Sequence, residues 1–272
     1  MRRQSWRGAE STLLGGSDLT MYFTPEQLRT LEDGYYTVFH NYQNLLSQYI
    51  SFSNAHPGSS EYILHGFVRR LGTLQRCIQN VYSLYPPDRS DIPSRDTCLD
   101  LTINLQSFVF NVFGCLDNLA WILVTEKQLK TVKGKPLTGN AVGFSRKNIY
   151  ESFSTEFQRY LDGLNGWFKG MEDYRHALAH RIPLYIPPFV VHPRKLELYN
   201  DFENLKNEAL RLKDFSRYDE LDSQQEKLGN FNPAMMHSYV EGARPVVFHF
   251  QVLADWNTVA EIAEMFLTLQ NW

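Results

Sequence analysis

Cysteine is scarce. Cys77, Cys98 and Cys115 are the only three in 272 residues, an odd number with no Cys-x-x-Cys spacing. That excludes a disulfide framework and a cysteine zinc site, and the helical patterning around each one predicts buried thiols in a reducing compartment. An excess of one charge is lacking too: 27 basic and 30 acidic side chains leave a net charge of −3. Global attraction to nucleic acid is thereby excluded, so RNA contact would need a local basic patch. No stretch of about 18 apolar residues runs uninterrupted, because the nearest, 108 to 124, contains Asn111, Asp117 and Asn118. The basic start, Met1-Arg2-Arg3-Gln4-Ser5-Trp6-Arg7, has no apolar segment of the signal-peptide kind. A cytoplasmic chain without membrane contact is expected. The Gly-x4-Gly-Lys-Ser/Thr order of a phosphate loop is absent around Gly134-Lys135-Pro136, and no internal repeat or low-complexity tract is visible.

What is present is apolar and aromatic: 43% of residues are hydrophobic and 14% aromatic, which excludes a mostly disordered chain. Residues 1–20 carry little periodicity and read as a flexible arm. Thr24-Pro25-Glu26-Gln27 has the pattern of a capping box with proline at the first helical position, and Leu28, Leu31, Tyr35, Val38, Tyr42, Leu45 and Tyr49 continue a helix to about residue 53. A second helix is expected over 60–84, flanked by Arg69, Arg70 and Arg76, which read as a solvated flank or as a contact to RNA backbone. The third, 96–131, is the most hydrophobic and should be central. Its Asn111, Asp117 and Asn118 need partners, because an unpaired buried polar group costs about 1–3 kcal/mol.

Ser154-Thr155-Glu156-Phe157 caps a further helical stretch that runs to 181, with Gly163, Gly166 and Gly170 allowing a bend or a helix-to-helix junction. The proline-rich 182–191 reads as an extended edge segment; its Tyr185 and Phe189 either stack bases or pack on the bundle. Residues 194–228 form a charged, largely exposed helix. The run 246–252 is the best strand candidate, pairing with 184–191 in a two-stranded ribbon, and a last helix covers 259–269. The fold class is mainly α: a helical bundle over 21–192 and a C-terminal appendage over 193–272 that carries the ribbon and a final helix packing back on the bundle.

The chemistry concentrates in Glu172-Asp173-Tyr174-Arg175-His176-Ala177-Leu178-Ala179-His180. Pro183 forces Ile182 out of the helical region, so the helix should end near Arg181 with His180 in its last turn. At about 100° per residue, Glu172, His176 and His180 share one face, while Arg175 lies roughly 140° from His180. Arg175 and His180 therefore meet only if the last turn loosens or if a second copy supplies one of them. Cations at a helix C-terminus are also favoured simply by the helix dipole, at about 0.3–1 kcal/mol, and a solvated end is the bland alternative.

Arg175-x4-His180, with polar His176 directly after the arginine, resembles the signature of the HEPN superfamily. The resemblance covers these six residues closely and the helical pattern loosely. It implies a helical bundle acting as a homodimer, with the motif of both subunits lining one cleft. It also implies metal-independent endoribonuclease activity without cofactor, and a possible place in toxin–antitoxin or defence systems with a regulatory partner. In that reading the RNA 2′-hydroxyl attacks the adjacent phosphate. His180 is general acid or base, and Arg175 holds the phosphate. His176, Asp117 and Glu172 support them, Asp117 as the acidic residue on a packed helix that orients Arg175, or else as a structural hydrogen-bonding group. Tyr185 and Arg181 contact substrate.

Two other readings stand beside it. A metal site on Glu172, His176 and His180 is strained, because three ligands spread over roughly 12 Å of helix do not readily reach one ion. A non-catalytic module that binds nucleotide, RNA or protein suits the near-neutral charge equally well.

Overall fold

The computed structural model describes residues 21–144, 146–238, 240–270 and 272, so the arm expected at 1–20 lies outside the described residues. Helix α1 spans Pro25–Ala55 and starts as expected: Thr24 Oγ1 accepts from the Gln27 amide at 3.2 Å while Gln27 Oε1 accepts from the Thr24 amide at 2.9 Å. Leu31, Val38, Leu45 and Tyr49 are its buried stripe. The second helical stretch comes in two parts, a π-helical segment at Glu61–Val68 running directly into α2 at Arg69–Leu84. A π segment this long is rare, since π geometry usually comes as a single-turn bulge, and such bulges are frequent at functional sites.

Helix α3, Arg95–Glu126, is the central element, packed against α2 and the π segment, and capped by Ser94 Oγ accepting from the Thr97 amide at 3.2 Å. It stops five residues before the expected 131, with Gln128 in the left-handed region at φ 50°. Among the described residues it is the one helix long and apolar enough to cross a membrane, and 61% of its most apolar window is buried inside the molecule. Cys77, Cys98 and Cys115 are buried free thiols, as expected.

After the short α4, Lys147–Tyr150, the expected 154–181 helix divides at Gly163-Leu164 into α5, Thr155–Asp162, and α6, Asn165–His180. The Ser154 cap forms, its Oγ accepting from the Phe157 amide at 3.2 Å. The charged stretch 194–228 is a hairpin of two helices, α7 at Leu196–Arg211 and α8 at Phe215–Glu226, turned at Lys213 with φ 58°. The hairpin closes around Lys206, whose ammonium reaches Asp222 and Gln225.

The strands differ from expectation. Val190–Val191 (β1) pairs antiparallel with Gly229–Asn230 (β2), and Ala234–Met235 (β3) with Val246–Val247 (β4). Tyr185 and Met236 form an isolated bridge. The supposed strand 246–252 therefore ends after two residues, and α9 begins at Phe248 and runs to Leu269. The reason is tertiary. Phe248, Val252, Trp256, Val259, Ala263 and Phe266 recur every three or four residues and are all buried against α1, α3 and α5, so one helical face enters the core whatever the β propensity of the individual residues. Asp255, buried on the same helix, accepts from Trp167 Nε1 and Gln251 Nε2, each at 2.8 Å. The final helix is thus a full member of the bundle.

Candidate functional site

Helix α6 crosses α3, and where they separate a cleft of about 250 Å³ opens. Its lining is Arg175, His176, Ala179 and His180 from α6, Phe110, Phe113, Gly114 and Asp117 from α3, and Arg70 from α2. Arg175 and His180 share this cleft within one copy of the chain although an ideal helix sets them well apart. The helix ends at His180: Arg181, with φ −127° and ψ −133°, has left the helical region, though its amide still bonds the Ala177 carbonyl at 3.0 Å. The alternation Met171, Ala177 inward and Arg175, His176, His180 outward anchors α6 by its small and apolar positions and leaves the polar set exposed at the cleft.

Each cation is held differently. The Arg175 guanidinium lies over the Phe113 ring, 5.2 Å from its centroid. Among the described residues Arg175 forms no ion pair. His176 and His180 sit edge to face, 6.3 Å between ring centroids. Arg70 is fixed by two amides of α3, donating from Nε to Asn118 Oδ1 at 3.0 Å and from an η nitrogen to Asn111 Oδ1 at 3.1 Å. These bonds answer the polar interruptions of the apolar third helix. The guanidinium lies over Gly114, where any Cβ would collide with it, and Gly66 of the π segment likewise leaves room for the Asn118 side chain.

Asp117 is the acid of the cleft. Partial burial raises its pKa above the usual aspartate value, while Arg175, Arg70 and Arg146 pull it back down. It is near enough to feel Arg175, yet no direct ion pair joins them among the described residues. Its role is therefore electrostatic, toward three guanidinium groups at once.

The remaining sequence candidates lie elsewhere. Glu172 is exposed outside the cleft lining and faces His176 at 3.9 Å. Arg181 turns to the opposite side of α6, donating to Asp173 Oδ1 at 2.5 Å and Glu241 Oε2 at 2.9 Å. Buried His237 completes that network, its Nε2 3.0 Å from Asp173 Oδ2. Tyr185 is held by backbone pairing with Met236 and does not line the cleft. Neither Arg181 nor Tyr185 is among the residues that line this cleft. Arg181 follows His180 directly, but its side chain leaves on the other side of the helix end, toward Asp173 and Glu241. Among the described residues no group of three or more His, Cys, Asp or Glu side chains is disposed to hold a metal ion.

Phe110 and Phe113 were not marked as site residues by the sequence, and Arg70 was marked only as one of three flanking arginines, solvated or in contact with RNA backbone. The available signal was Asn111, Gly114 and Asn118 on a single stripe of an otherwise apolar helix, which calls for a long polar side chain from a neighbouring element. The cleft thus gathers basic and titratable groups from α2, α3 and α6, in a chain for which no family model, no curated protein and no solved structure gives a match.

Proposed function

We propose that the chain is a metal-independent endoribonuclease of HEPN-like type, with Arg175 and His180 as its catalytic pair. The observation that carries this reading is that Arg175, His176, His180 and Asp117, from two different helices, line one cleft. Cleavage by the 2′-hydroxyl of RNA on its own phosphodiester needs a proton acceptor for the hydroxyl, a proton donor for the leaving 5′-oxygen, and positive charge where the phosphorane builds up. An imidazole at the cleft mouth suits the proton transfers, since the side chain type titrates near neutrality. A guanidinium offers a planar fork of donors to the phosphate, strongest as charge accumulates in the transition state. His180 takes the first role and Arg175 the second. His176, beside His180, orients phosphate, and Asp117 sets the field around Arg175. The product then ends in a 2′,3′-cyclic phosphate.

A homodimer is part of the proposal. Leu99, Ile103 and Phe110 are exposed on one stripe of α3 that leads into the cleft at Gly114 and Asp117. An apolar stripe of this kind beside a site is suited to a second copy of the chain, which would bring a second Arg175 and His180 to the same opening.

The test is incubation of wild type, Arg175→Ala and His180→Ala with labelled RNA in chelator, reading fragments and their end groups. Cleavage by wild type alone with cyclic phosphate ends is the expected result. Equal cleavage by either variant sinks the assignment, and RNA binding without cleavage by wild type shifts the reading to a non-catalytic binding module.

A further inference from the structure

We propose that Arg70 is a second phosphate-binding group of the cleft, gripping an RNA phosphodiester next to the one that Arg175 holds. The proposal rests on the ribonuclease reading for the identity of the ligand, but the geometry that supports it is separate from the Arg175-to-His180 motif.

Three arginines elsewhere settle their charge on carboxylates: Arg89 on Asp91, Arg181 on Asp173 and Glu241, Arg217 on Glu220. Arg70 is held by two neutral amides instead, Asn111 and Asn118, and among the described residues it forms no ion pair. Amide oxygens fix the direction of a guanidinium without neutralising it. The group keeps its full charge and its remaining N–H donors, and it is among the side chains that line the opening. Among the described residues the one carboxylate of the lining is Asp117, which also feels Arg175 and Arg146, so one acid is set among three guanidinium groups.

The surroundings are arranged for this placement. Gly114 leaves the floor on which the guanidinium lies, and Gly66 leaves the space that Asn118 occupies. The π-helical segment ends at Val68, two residues before Arg70, and its wider turn sets the direction in which the start of α2 faces α3. If Arg70 only satisfied two half-buried amides, a shorter neutral donor would serve; a charged fork fixed in advance at the edge of a cleft is what a polyanion requires, because little of its side-chain entropy is then lost on binding.

The experiment uses the full-length protein and a labelled single-stranded oligonucleotide with 2′-O-methyl groups throughout, which cannot be cut by 2′-hydroxyl attack. Its affinity is measured over a series of salt concentrations for wild type, Arg70→Met and Asn111→Asp. The first variant keeps the side-chain stem and removes the charge. The second keeps Arg70 and gives it a carboxylate partner, which a purely structural arginine would accept with no loss of thermal stability. Both are expected to bind at least about tenfold more weakly, the weight of one charge-assisted hydrogen bond. Both should also lower the slope of log affinity against log salt by about 0.7, the value for one phosphate contact on a single strand. Should Arg70→Met fail to fold, Asn111→Asp carries the test alone. Unchanged affinity and slope in the folded variants overturn the proposal, as does a wild type that does not bind the oligonucleotide. Binding by wild type that depends on Arg70, together with no cleavage of ordinary RNA, removes the nuclease reading and leaves the phosphate site standing.

Discussion

Two arginines six residues apart near the end of α6 have opposite circumstances. Arg181 is clasped by Asp173 and Glu241, and the hydrogen bond it donates to Asp173 is the main reason its pKa rises. Arg175 has no carboxylate partner among the described residues and rests on the Phe113 ring in the cleft. The same contrast extends to the imidazoles. His237 is buried between Asp173 and Glu241, whereas His176 and His180 are exposed at the cleft. One side of the helix spends its charges on the protein's own acids, where they hold the segment around residue 237 against α6. The other presents Arg175, His176 and His180 at the cleft, where the nearest acid contact among the described residues is His176 with Glu172 at 3.9 Å. Nearness in sequence therefore did not separate carboxylate-paired side chains from those that line the cleft.

The sharpest way to break this comparison is to remove the unpaired groups. His180→Ala is expected to lower RNA cleavage by about 10²- to 10⁴-fold, the usual range for losing a general acid or base, and Arg175→Ala by a comparable factor. Both are exposed, so the far-ultraviolet circular dichroism and the melting temperature should stay close to wild type. A variant that loses activity only by unfolding would place these residues with the structural set.

A second prediction concerns two titratable groups wholly inside the bundle, on α9. Burial lifts the Asp255 carboxyl to about 6, opposed by the hydrogen bonds from Trp167 and Gln251. Burial also depresses His249 to about 4, opposed by its bond to the Tyr85 carbonyl, which at 2.7 Å requires the proton on Nε2. Between these values and the ordinary ones, folded Asp255 binds more protons than the unfolded chain, and its contribution to stability falls as pH rises. Folded His249 binds fewer, and its contribution rises with pH. The two oppose each other between about pH 4 and 6. Asp255→Asn keeps an oxygen acceptor for both donors and removes one side of the balance. Relative to wild type, its stability should climb by roughly 2–3 kcal/mol between pH 4 and 6.5, measured by denaturant titration at each pH. Parallel profiles would show that Asp255 does not titrate as burial requires.

Smaller effects belong to the paired side of α6. His237→Ala removes a buried ring between two acids and should cost about 1–3 kcal/mol in stability with little change in cleavage. Asp173 is held below the usual carboxylate range, chiefly by Arg181 and then by His237, so its contribution is present above its unfolded pKa and is lost as pH falls through the folded one. The smallest change expected is for Glu172→Gln. Glu172 is exposed and 3.9 Å from His176, and surface pairs of this kind contribute about 0–1 kcal/mol. A large loss of cleavage in that variant would return Glu172 to the site.

Much of the scaffold was legible in the sequence because it depends on local rules. The Thr24 box, the Ser154 cap, the long apolar stripe of α3 and the end of α6 ahead of Pro183 follow from capping chemistry, helical period and the restriction that proline places on its predecessor. The stretch 246–252 misled because Val, Phe and Val suit a strand by propensity, and only burial against three helices selects the helical alternative. In the same way, Asn111 and Asn118 could be marked as polar groups in need of partners, but that both partners are one arginine, Arg70, depends on how α2 and the π segment approach α3.

The amino-acid order by itself determined a mainly helical chain and placed Arg175, His176 and His180 on the last turns of one helix, since spacing and helix-stop signals act over a few residues. The tertiary structure decided that Arg70 lines the cleft with them and with Asp117, that Arg181 and Tyr185 are not in its lining, and that among the described residues Arg175 has no carboxylate partner. Those outcomes depend on which surfaces meet across separations of 50 to 100 residues, where side-chain volume and the need to satisfy buried polar groups, rather than local propensity, set the arrangement.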